Sequence, residues 1–535
     1  MEKFVIGIDY GTLSARALLV DAGNGAVAAE AAFVYPHGIL NISGKKTDAF
    51  QHPEDYLQAL SHTIEAVLKK ANVRADQVSG LGIDFTACTV LPVTADGTPL
   101  CFLEKYRDMP QSYVKLWKHQ SAHTQARRIT QLAEQTRQPW LSVYGGKVSA
   151  EWYFPKLLEL FEEAPQVYAA CDRYLEAADW LTYLLTGETV CSSCMAGYKA
   201  LWNGETGYPG NDFWAKLGLP DVIGTKVRGE VKSVGTKAGV LNANGAKLTG
   251  LPEGVPVAVP IIDAHAGLPA AGVAEAGELV LIMGTSTCQL ILSDRDVQPE
   301  GISGSVKDGV LPGFTALEAG QASVGDMFNW FVENAVPAHY IRDAAEEEKD
   351  IYTYLSQKAA ALRPGESGLL ALDWFNGNRA PYGDGSLTGL ILGLNLRTKP
   401  EEIFRALLEA TAFGTKAIVD IYEKNGVEVR QVYATGGIPR KNPFLMQMYA
   451  DILGKEIRVV SASQGGAKGS AILAAAAAGL YPDIRAAVKT MADHWSVAYY
   501  PQAENIAPYE KLYAQYCRMA QYFAGDPVMK ELKKI

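Results

Sequence analysis

The sequence has little positive charge and no long apolar run. Its 49 basic residues are outnumbered by 59 acidic ones, giving a formal net charge of −10, so it has no general attraction for nucleic acid or anionic lipid. The alanine-rich stretch 471–479 is far too short to span a bilayer, and residues 1–3 lead directly into a strand pattern without a signal-peptide apolar segment. We therefore expect a cytoplasmic protein with neither a nucleic-acid nor a membrane partner.

Cysteine is also scarce. Seven cysteines, an odd number scattered over a long chain, favour a reducing compartment over a disulfide framework. Cys191 and Cys194 have the spacing of half a zinc site, but no second Cys/His pair follows at a matching distance, so we do not predict zinc. The chain instead offers length and apolar content: its 535 residues, 48% hydrophobic and 20% charged, predict a globular protein with at least two large domains.

Residues 7–16 predict a strand, a glycine turn and a second strand. Apolar runs at 4–6 and 17–20 have the length of buried strands, and Gly11 can take backbone angles that other residues avoid. Asp9, at the end of the first strand, could hold a hydrated Mg²⁺. The turn's N–H groups suit a phosphate, and the side chains that would join them are those of Thr12, Ser14 and Arg16. A plain hairpin explains this stretch equally well by itself.

The same design recurs in the second half of the chain. An apolar run at 278–283 leads into Gly284-Thr285-Ser286-Thr287, and another apolar run follows at 288–292. Two phosphate-type hairpins, each opening its own run of strands and helices, predict two similar domains that face each other across a cleft. We expect an α/β fold with domains at 1–270 and 271–535, the first containing a helical insertion at about 85–250.

A third stretch carries a family resemblance. It is similar to the C-terminal signature of the FGGY carbohydrate kinases, members of the sugar kinase, Hsp70 and actin superfamily, in the residues Thr435, Gly436, Gly437, Asn442, Gln447, Ala450 and Asp451. The spacing between Gly437 and Asn442 is one residue longer than the commonest family form. This longer spacing resembles the branch that phosphorylates ribulose, as do the stretches 82–89, 115–119, 196–202, 263–266 and 318–322.

The resemblance implies two actin-like domains and an ATP- and Mg²⁺-dependent kinase. The reaction would phosphorylate the terminal 5-hydroxyl of a ketopentose, L-ribulose, in arabinose catabolism, with Asp263 as the general base and with Asp9 and Asp263 as metal ligands. The residues implied for the nucleotide are Gly11, Thr12, Ser14, Arg16, Gly284, Thr285, Ser286, Thr287, Gly325, Gly436, Gly437 and Asn442. Those implied for the sugar are Ala87, Cys88, Lys199, Asp263 and Glu318.

Other interpretations stay open at this point. Asp263 also has the position of an ordinary helix N-cap, helix packing explains Gly325 nearly as well as a nucleotide does, and Asp84, at another strand end, is left out of the site. D-ribulose, xylulose or glycerol as acceptor fits the same pattern, and actin-like and Hsp70-like ATPases use a similar scaffold without a sugar. The tyrosine-rich stretch 498–516 fits a homodimer face or, more simply, a packed C-terminal helix.

Overall fold

The structure is a computed structural model that describes residues 3–460 and 464–533. The strands up to residue 274 are β1 (Phe4–Tyr10), β2 (Ser14–Asp21), β3 (Val27–Val34), β4 (Phe50–Gln51), β5 (Val78–Phe85), β6 (Val90–Val93), β7 (Val114–Lys115), β8 (Arg173–Glu176), β9 (Val190–Ser192), β10 (Glu230–Lys232), β11 (Lys237–Val240), β12 (Pro256–Ala258) and β13 (Ile261–Ile262). The helices there are α1 (Pro53–Ala71), α2 (His123–Gln135), α3 (Trp140–Val143), α4 (Tyr153–Glu163), α5 (Pro165–Ala170), α6 (Ala177–Thr186), α7 (Ser193–Lys199), α8 (Asn211–Ala215), α9 (Val222–Thr225), α10 (Ala243–Thr249) and α11 (Asp263–Ala270). Short 3₁₀ turns lie at Ala75–Gln77, Leu100–Phe102, Glu104–Tyr106 and Pro110–Ser112.

The later strands are β14 (Glu278–Met283), β15 (Thr287–Ser293), β16 (Gly304–Lys307), β17 (Thr315–Gln321), β18 (Leu370–Leu372), β19 (Leu390–Leu392), β20 (Gln431–Gly436), β21 (Ile457–Val460) and β22 (Trp495–Tyr499). The later helices are α12 (Gly325–Ala335), α13 (Ala338–Glu346), α14 (Ile351–Ala360), α15 (Pro400–Lys424), α16 (Gly437–Lys441), α17 (Pro443–Leu453), α18 (Gly465–Ala477), α19 (Ile484–Met491), α20 (Ala503–Gly525) and α21 (Val528–Leu532). None of the helices in the described ranges is long and apolar enough to cross a membrane.

The described part of the chain forms two compact units. The first comprises Met1–Ala274, Val306–Ala316 and Gln464–Asp493, and the second comprises Glu275–Ser305, Leu317–Ser463 and His494–Ile535. The predicted division between residues 270 and 271 therefore differs from the structure in three segments, 271–274, 306–316 and 464–493, which belong to the first unit.

The main sheet of the first unit has the strand order β11, β12, β5, β1, β2, β3, with β13 also paired to β5. β1 runs antiparallel to β2 over the predicted hairpin, and parallel to β5 with Asp9 opposite Asp84. Nearly all of β1 is buried, as expected for a strand covered on both faces, which explains its apolar sequence.

The main sheet of the second unit has the order β16, β17, β15, β14, β20, β21, β22. β14 runs antiparallel to β15 and parallel to β20, with Met283 opposite Gly436. In each sheet the first hairpin strand pairs with a parallel strand, which in turn pairs with a second parallel strand. These two strands are β5 and β12 in the first unit and β20 and β21 in the second. This shared topology confirms the predicted repeat.

The apolar core of the second unit surrounds α15. Phe404, Leu408 and Phe413 of this helix are buried, and they belong to one cluster with β14, β20 and α17 through residues such as Leu281, Val432 and Tyr449. The core thus lies against the face of the sheet and fixes the strand ends that carry the second hairpin.

Helix α18 packs directly on the sheet of the first unit. A Cβ on Gly7 would lie 1.9 Å from the carbonyl oxygen of Ala467, and one on Gly82 would lie 2.0 Å from that of Ser470. Since only glycine at these strand positions permits such backbone contact, β1 and β5 are shaped to receive this helix. This packing is why 464–493 belongs to the first unit.

The segment 85–250 is mixed in structure. It contains helices α2 to α10, as predicted, but also strands β6 to β11. Of these, β6, β7 and β8 join β4 in a smaller sheet with the order β4, β7, β6, β8. The predicted helical insertion is therefore an α/β segment built next to the loop that follows β5.

Candidate active site

The turn of the first hairpin, residues 11–14, is accessible and is held by the residues behind it. Gly11 N donates to Ser14 O at 3.0 Å. Gln51 Nε2 donates to Thr12 O at 2.7 Å, and Trp117 Nε1 donates to Thr12 Oγ1 at 3.0 Å. Because its oxygen accepts from the indole, the Thr12 hydroxyl keeps its own hydrogen for donation to a ligand. The predicted phosphate turn is thus held by hydrogen bonds from the protein on one side and is accessible to a ligand on the other.

Three aspartates meet where strands of the first unit end. Asp9 and Asp84 stand opposite each other in the parallel pair β1–β5, and Asp84 also stands opposite Ile261 of β13. Asp263 follows β13 as the first residue of α11, and its Oδ1 accepts from Ala264 N at 2.7 Å. We call Asp9, Asp84 and Asp263 the carboxyl cluster.

Asp84 belongs to this cluster although the sequence analysis left it out. Its Oδ2 accepts from Ser470 Oγ of α18 at 2.7 Å, whereas its buried Oδ1 has no hydrogen-bond partner in the described residues. The available signal was the pattern of two strands each ending in aspartate, because parallel strands bring their carboxyl ends to one edge of a sheet.

Burial raises the pKa of all three carboxyl groups of the cluster, and charge repulsion adds to this at Asp84 and Asp263. Burial raises the pKa of Asp9, against the lowering effects of the neighbouring Asp84 carboxyl group and of the Arg16 charge. Burial and the charge of Asp9 hold the pKa of Asp84 well above its ordinary value. Burial, with the charge of Asp9, raises the pKa of Asp263 to about 7. The cluster therefore holds at least one proton at neutral pH unless a cation offsets its charge.

The surroundings of the cluster fit a hydrated Mg²⁺. The donors are oxygens, one of them unpaired, and Gly466 at the start of α18 leaves space: a Cβ there would lie 2.9 Å from Asp9 Oδ2 and 3.2 Å from Asp84 Oδ1. In the part of the chain that the structure describes, no three His, Cys, Asp or Glu side chains form a ready ligand set. Mg²⁺ generally keeps several waters and binds through one or two carboxylates and the phosphates of a substrate.

The predicted sugar residues of the first unit lie near one another. Ala87 and Cys88 follow β5, and Lys199 ends α7. The Lys199 charge acts on the Cys88 thiol and lowers its pKa, although burial dominates and raises it overall. Glu318, predicted for the same substrate, is a buried residue of β17, most of which belongs to the second unit.

The turn of the second hairpin is also closed by a glycine N–H that donates to a serine carbonyl, but it is one residue shorter than the first. Gly284 N donates to Ser286 O at 2.9 Å, and the start of α12 adjoins the turn, with Gly325 N donating to Gly284 O at 3.1 Å and Val324 N to Thr285 O at 2.8 Å. Thr287 differs from expectation: as the first residue of β15 it is fully buried, so its side chain lies in the core rather than on the turn.

Two of the predicted nucleotide glycines are required by packing. A Cβ on Gly325 would lie 2.7 Å from the carbonyl oxygen of Gly284, and one on Gly436, whose φ is +109°, would lie 2.2 Å from that of Met283. Gly437 differs, since a Cβ there would meet no described atom within 4 Å. Of the adjacent glycines Gly436 and Gly437, only Gly437 borders space that a ligand can use.

Asn442 acts as a helix cap. Its Oδ1 accepts from Leu445 N at 3.0 Å at the start of α17, and its Nδ2 donates to Ser356 Oγ at 3.1 Å. Both ends of the amide are therefore engaged by the protein. Its predicted contact with adenosine stays a prediction.

Comparison with known proteins gives matches over nearly the whole chain. The profile of the FGGY family of carbohydrate kinases, N-terminal domain, matches residues 4–268, and that of the C-terminal domain matches 279–478. A protein of Bacillus licheniformis named ribulokinase is 47% identical over 98% of this chain and 97% of its own length. A protein of Halalkalibacterium halodurans with the same name is 46% identical over 100% of this chain and 97% of its own length. Among solved structures, the xylulose kinase of Rhodospirillum rubrum has a TM-score of 0.82 at 22% identity, covering 99% of this chain and 100% of its own, which shows a shared fold.

Proposed function

Because the chain belongs to the FGGY family of carbohydrate kinases, we propose that it transfers the γ-phosphoryl group of ATP to the 5-hydroxyl of L-ribulose. The products are L-ribulose 5-phosphate and ADP. Similarity to relatives named ribulokinase over the full length supports ribulose as the acceptor, and the carboxyl cluster supports the chemistry.

Asp263 is the proposed general base. A sugar hydroxyl becomes an effective nucleophile when a positioned group takes its proton, and a carboxylate with a pKa near the working pH suits that task. The pKa of Asp263 is raised to about 7 by burial and the Asp9 charge. Its hydrogen bond from Ala264 N fixes the carboxyl group at the start of α11, so capping and catalysis are compatible roles.

Asp9 and Asp84 are proposed to hold the metal side of the site, directly or through water. Mg²⁺, when bound, would neutralise charge on the transferring phosphates. The two aspartates, with Arg16 beside Asp9, keep this edge of the sheet polar. The first turn of α18 supplies a positive helix end next to their carboxylates.

The remaining contacts follow from the two hairpin turns and the loop after β5. The accessible turns, at residues 11–14 and 284–286, would bind phosphate oxygens through backbone N–H groups and hydroxyls. Gly437 would border the nucleoside. Lys199 and Glu318 would bind oxygens of the sugar, with the backbone of Ala87 and Cys88.

The observation that carries the proposal is Asp263, a carboxyl group with a raised pKa at a strand end, close enough to feel the charge of Asp9, which precedes the accessible phosphate-type turn. The test is a panel of acceptors, L-ribulose, D-ribulose, D-xylulose, L-xylulose and glycerol, assayed for coupled ADP release with ATP and Mg²⁺. We expect the highest kcat/KM with L-ribulose and only slow ADP release without sugar. A higher kcat/KM with another acceptor would overturn the substrate assignment, and sugar-independent hydrolysis would overturn the kinase mechanism.

A further inference from the structure

The loop after β5, residues 86–89, has an unusual backbone. Cys88 has a φ of +54°, in the left-handed region that residues other than glycine, asparagine and aspartate seldom adopt. Two further contacts stabilise the loop: the Thr86 and Thr89 hydroxyls hydrogen-bond at 2.6 Å, and Ala177 N donates to Thr89 O at 2.7 Å. The strained residue thus lies in a segment predicted to contact the sugar through its backbone.

Lys156 of α4 binds the carbonyl of the strained residue. Its side chain is completely buried, and Nζ donates to Cys88 O at 2.6 Å and to Leu116 O at 2.8 Å. Both acceptors are uncharged peptide carbonyls. Burial lowers its pKa to about 8, against the opposing effect of nearby acidic groups that include Cys88 and Glu176.

The neighbouring buried lysine is different. Lys115 Nζ lies 2.5 Å from Glu159 Oε2, and His119 Nε2 approaches the same oxygen at 3.1 Å. The Lys115 charge is thus compensated by a buried carboxylate, and its Nζ also donates to the backbone carbonyl of Lys156 at 2.9 Å. An ammonium buried against peptide carbonyls alone is costly, and a methionine could fill the same space in a core, so packing does not explain a lysine at position 156.

The other side of the loop is also polar. Glu176, at the end of β8, is buried, and burial together with Asp179 raises its pKa overall, while the backbone N–H groups of Cys88 and Thr89 lower it. The loop's carbonyl side therefore contacts Lys156 and its N–H side approaches a carboxyl group. Both groups act on the peptide bonds next to Cys88.

We propose that Lys156 is a positioning residue for the sugar: by binding the Cys88 carbonyl it holds Cys88 in the left-handed conformation and so sets the backbone of residues 86–89 against the substrate. This inference rests on the proposed function for its consequence, since that function places the sugar at this loop. Its structural part, the fixed loop, does not depend on which sugar is bound.

The first test is the variant Lys156→Met, assayed by steady-state kinetics with the best acceptor of the panel. Loss of a charged donor from two buried acceptors predicts a rise in the sugar KM of about tenfold, with the ATP KM unchanged within about twofold. Lys226→Met is the matched control. It removes an ammonium group that donates a hydrogen bond to the carbonyl of Cys171, in the same unit but away from the loop. Equal rises in both KM values, or the same effect in the control, would overturn the proposal.

The second test asks whether Lys156 affects the sugar KM by holding Cys88 in the left-handed conformation. Glycine adopts a φ of +54° without strain, so Cys88→Gly should reduce the need for the lysine. We expect Lys156→Met to raise the sugar KM only about twofold in the Cys88→Gly background. An undiminished effect would mean that Lys156 acts by some route other than the Cys88 conformation and would overturn the proposal.

The third test needs no turnover. Amide hydrogen exchange of a peptide spanning 85–90 should be about tenfold faster in Lys156→Met, while peptides of the second unit stay unchanged. If Lys156→Met fails to fold, Lys156→Gln, which keeps an uncharged N–H donor group, should show a smaller increase in the same direction. If no sugar is phosphorylated, the proposed function fails, yet unchanged exchange at 85–90 would be a separate failure of this inference.

Discussion

Asp263→Asn should lower turnover and raise stability together. The pKa of Asp263 is about 7 in the folded protein against about 3.9 in an unfolded chain, and at about 1.4 kcal/mol for each unit of pKa, ionising it in the fold costs about 4 kcal/mol. The side chain is half-buried, so water screens part of this cost, and we expect about 2 kcal/mol. Asparagine keeps the acceptor for Ala264 N and carries no charge.

The pH dependence of this gain has a definite sign. The protonated Asp263 is favoured by the fold, so its contribution to stability is full below about pH 4 and is lost as pH rises through 7. The asparagine variant has no such loss. Its advantage over the wild type should therefore be near zero at pH 4, grow between pH 4 and 7, and stay constant above pH 7.

The assay combines kinetics with unfolding. With saturating ATP, Mg²⁺ and L-ribulose, kcat of Asp263→Asn should fall ~10²–10⁴-fold, the usual contribution of a general base. Urea unfolding in EDTA at pH 4.5, 6 and 7.5 should give the stability difference. Asp212→Asn, an exposed aspartate of the same unit, is the control and should change neither quantity. Near-normal kcat would refute the assignment of the base, and a variant less stable than wild type at pH 7.5 would refute the electrostatic argument.

Three further changes test the site and the packing beneath it. Gly466→Ala places a Cβ 2.9 Å from Asp9 Oδ2, so kcat/KM should fall at least about tenfold, whereas Gly210→Ala, with open space around its Cβ, should be silent in the same assay. Trp117→Phe removes the hydrogen bond to Thr12 Oγ1, and the KM for ATP should rise about two- to tenfold without a change in thermal unfolding; an unchanged KM would show that Thr12 needs no such support. Gly7→Ala brings a Cβ to 1.9 Å from the backbone of α18, so urea unfolding should show a loss of about 3 kcal/mol or more, and near-wild-type stability would contradict the observed packing.

Local sequence patterns were enough to predict the hairpins, their repeat and the carboxyl group at a strand end. Apolar runs of strand length separated by glycine and hydroxyl residues predicted both hairpins, and their recurrence predicted the repeated topology that β1–β2–β5 and β14–β15–β20 show. A strand followed at once by an aspartate predicted a carboxyl group at a sheet edge. These features depend on turn geometry and side-chain alternation within about ten residues, which one sequence contains.

Only the tertiary structure decided which distant residues meet. Asp84 joined Asp9 through the register of two parallel strands, and α18 entered the first unit because Gly7 and Gly82 allow backbone contact. In the folded chain Thr287 is buried in the core, and the buried side chain of Lys156 donates to two backbone carbonyls. Strand register, close packing and desolvation join positions separated by tens to hundreds of residues. A local pattern can place an aspartate at a strand end, as for Asp84, but it does not specify which distant residue that aspartate meets.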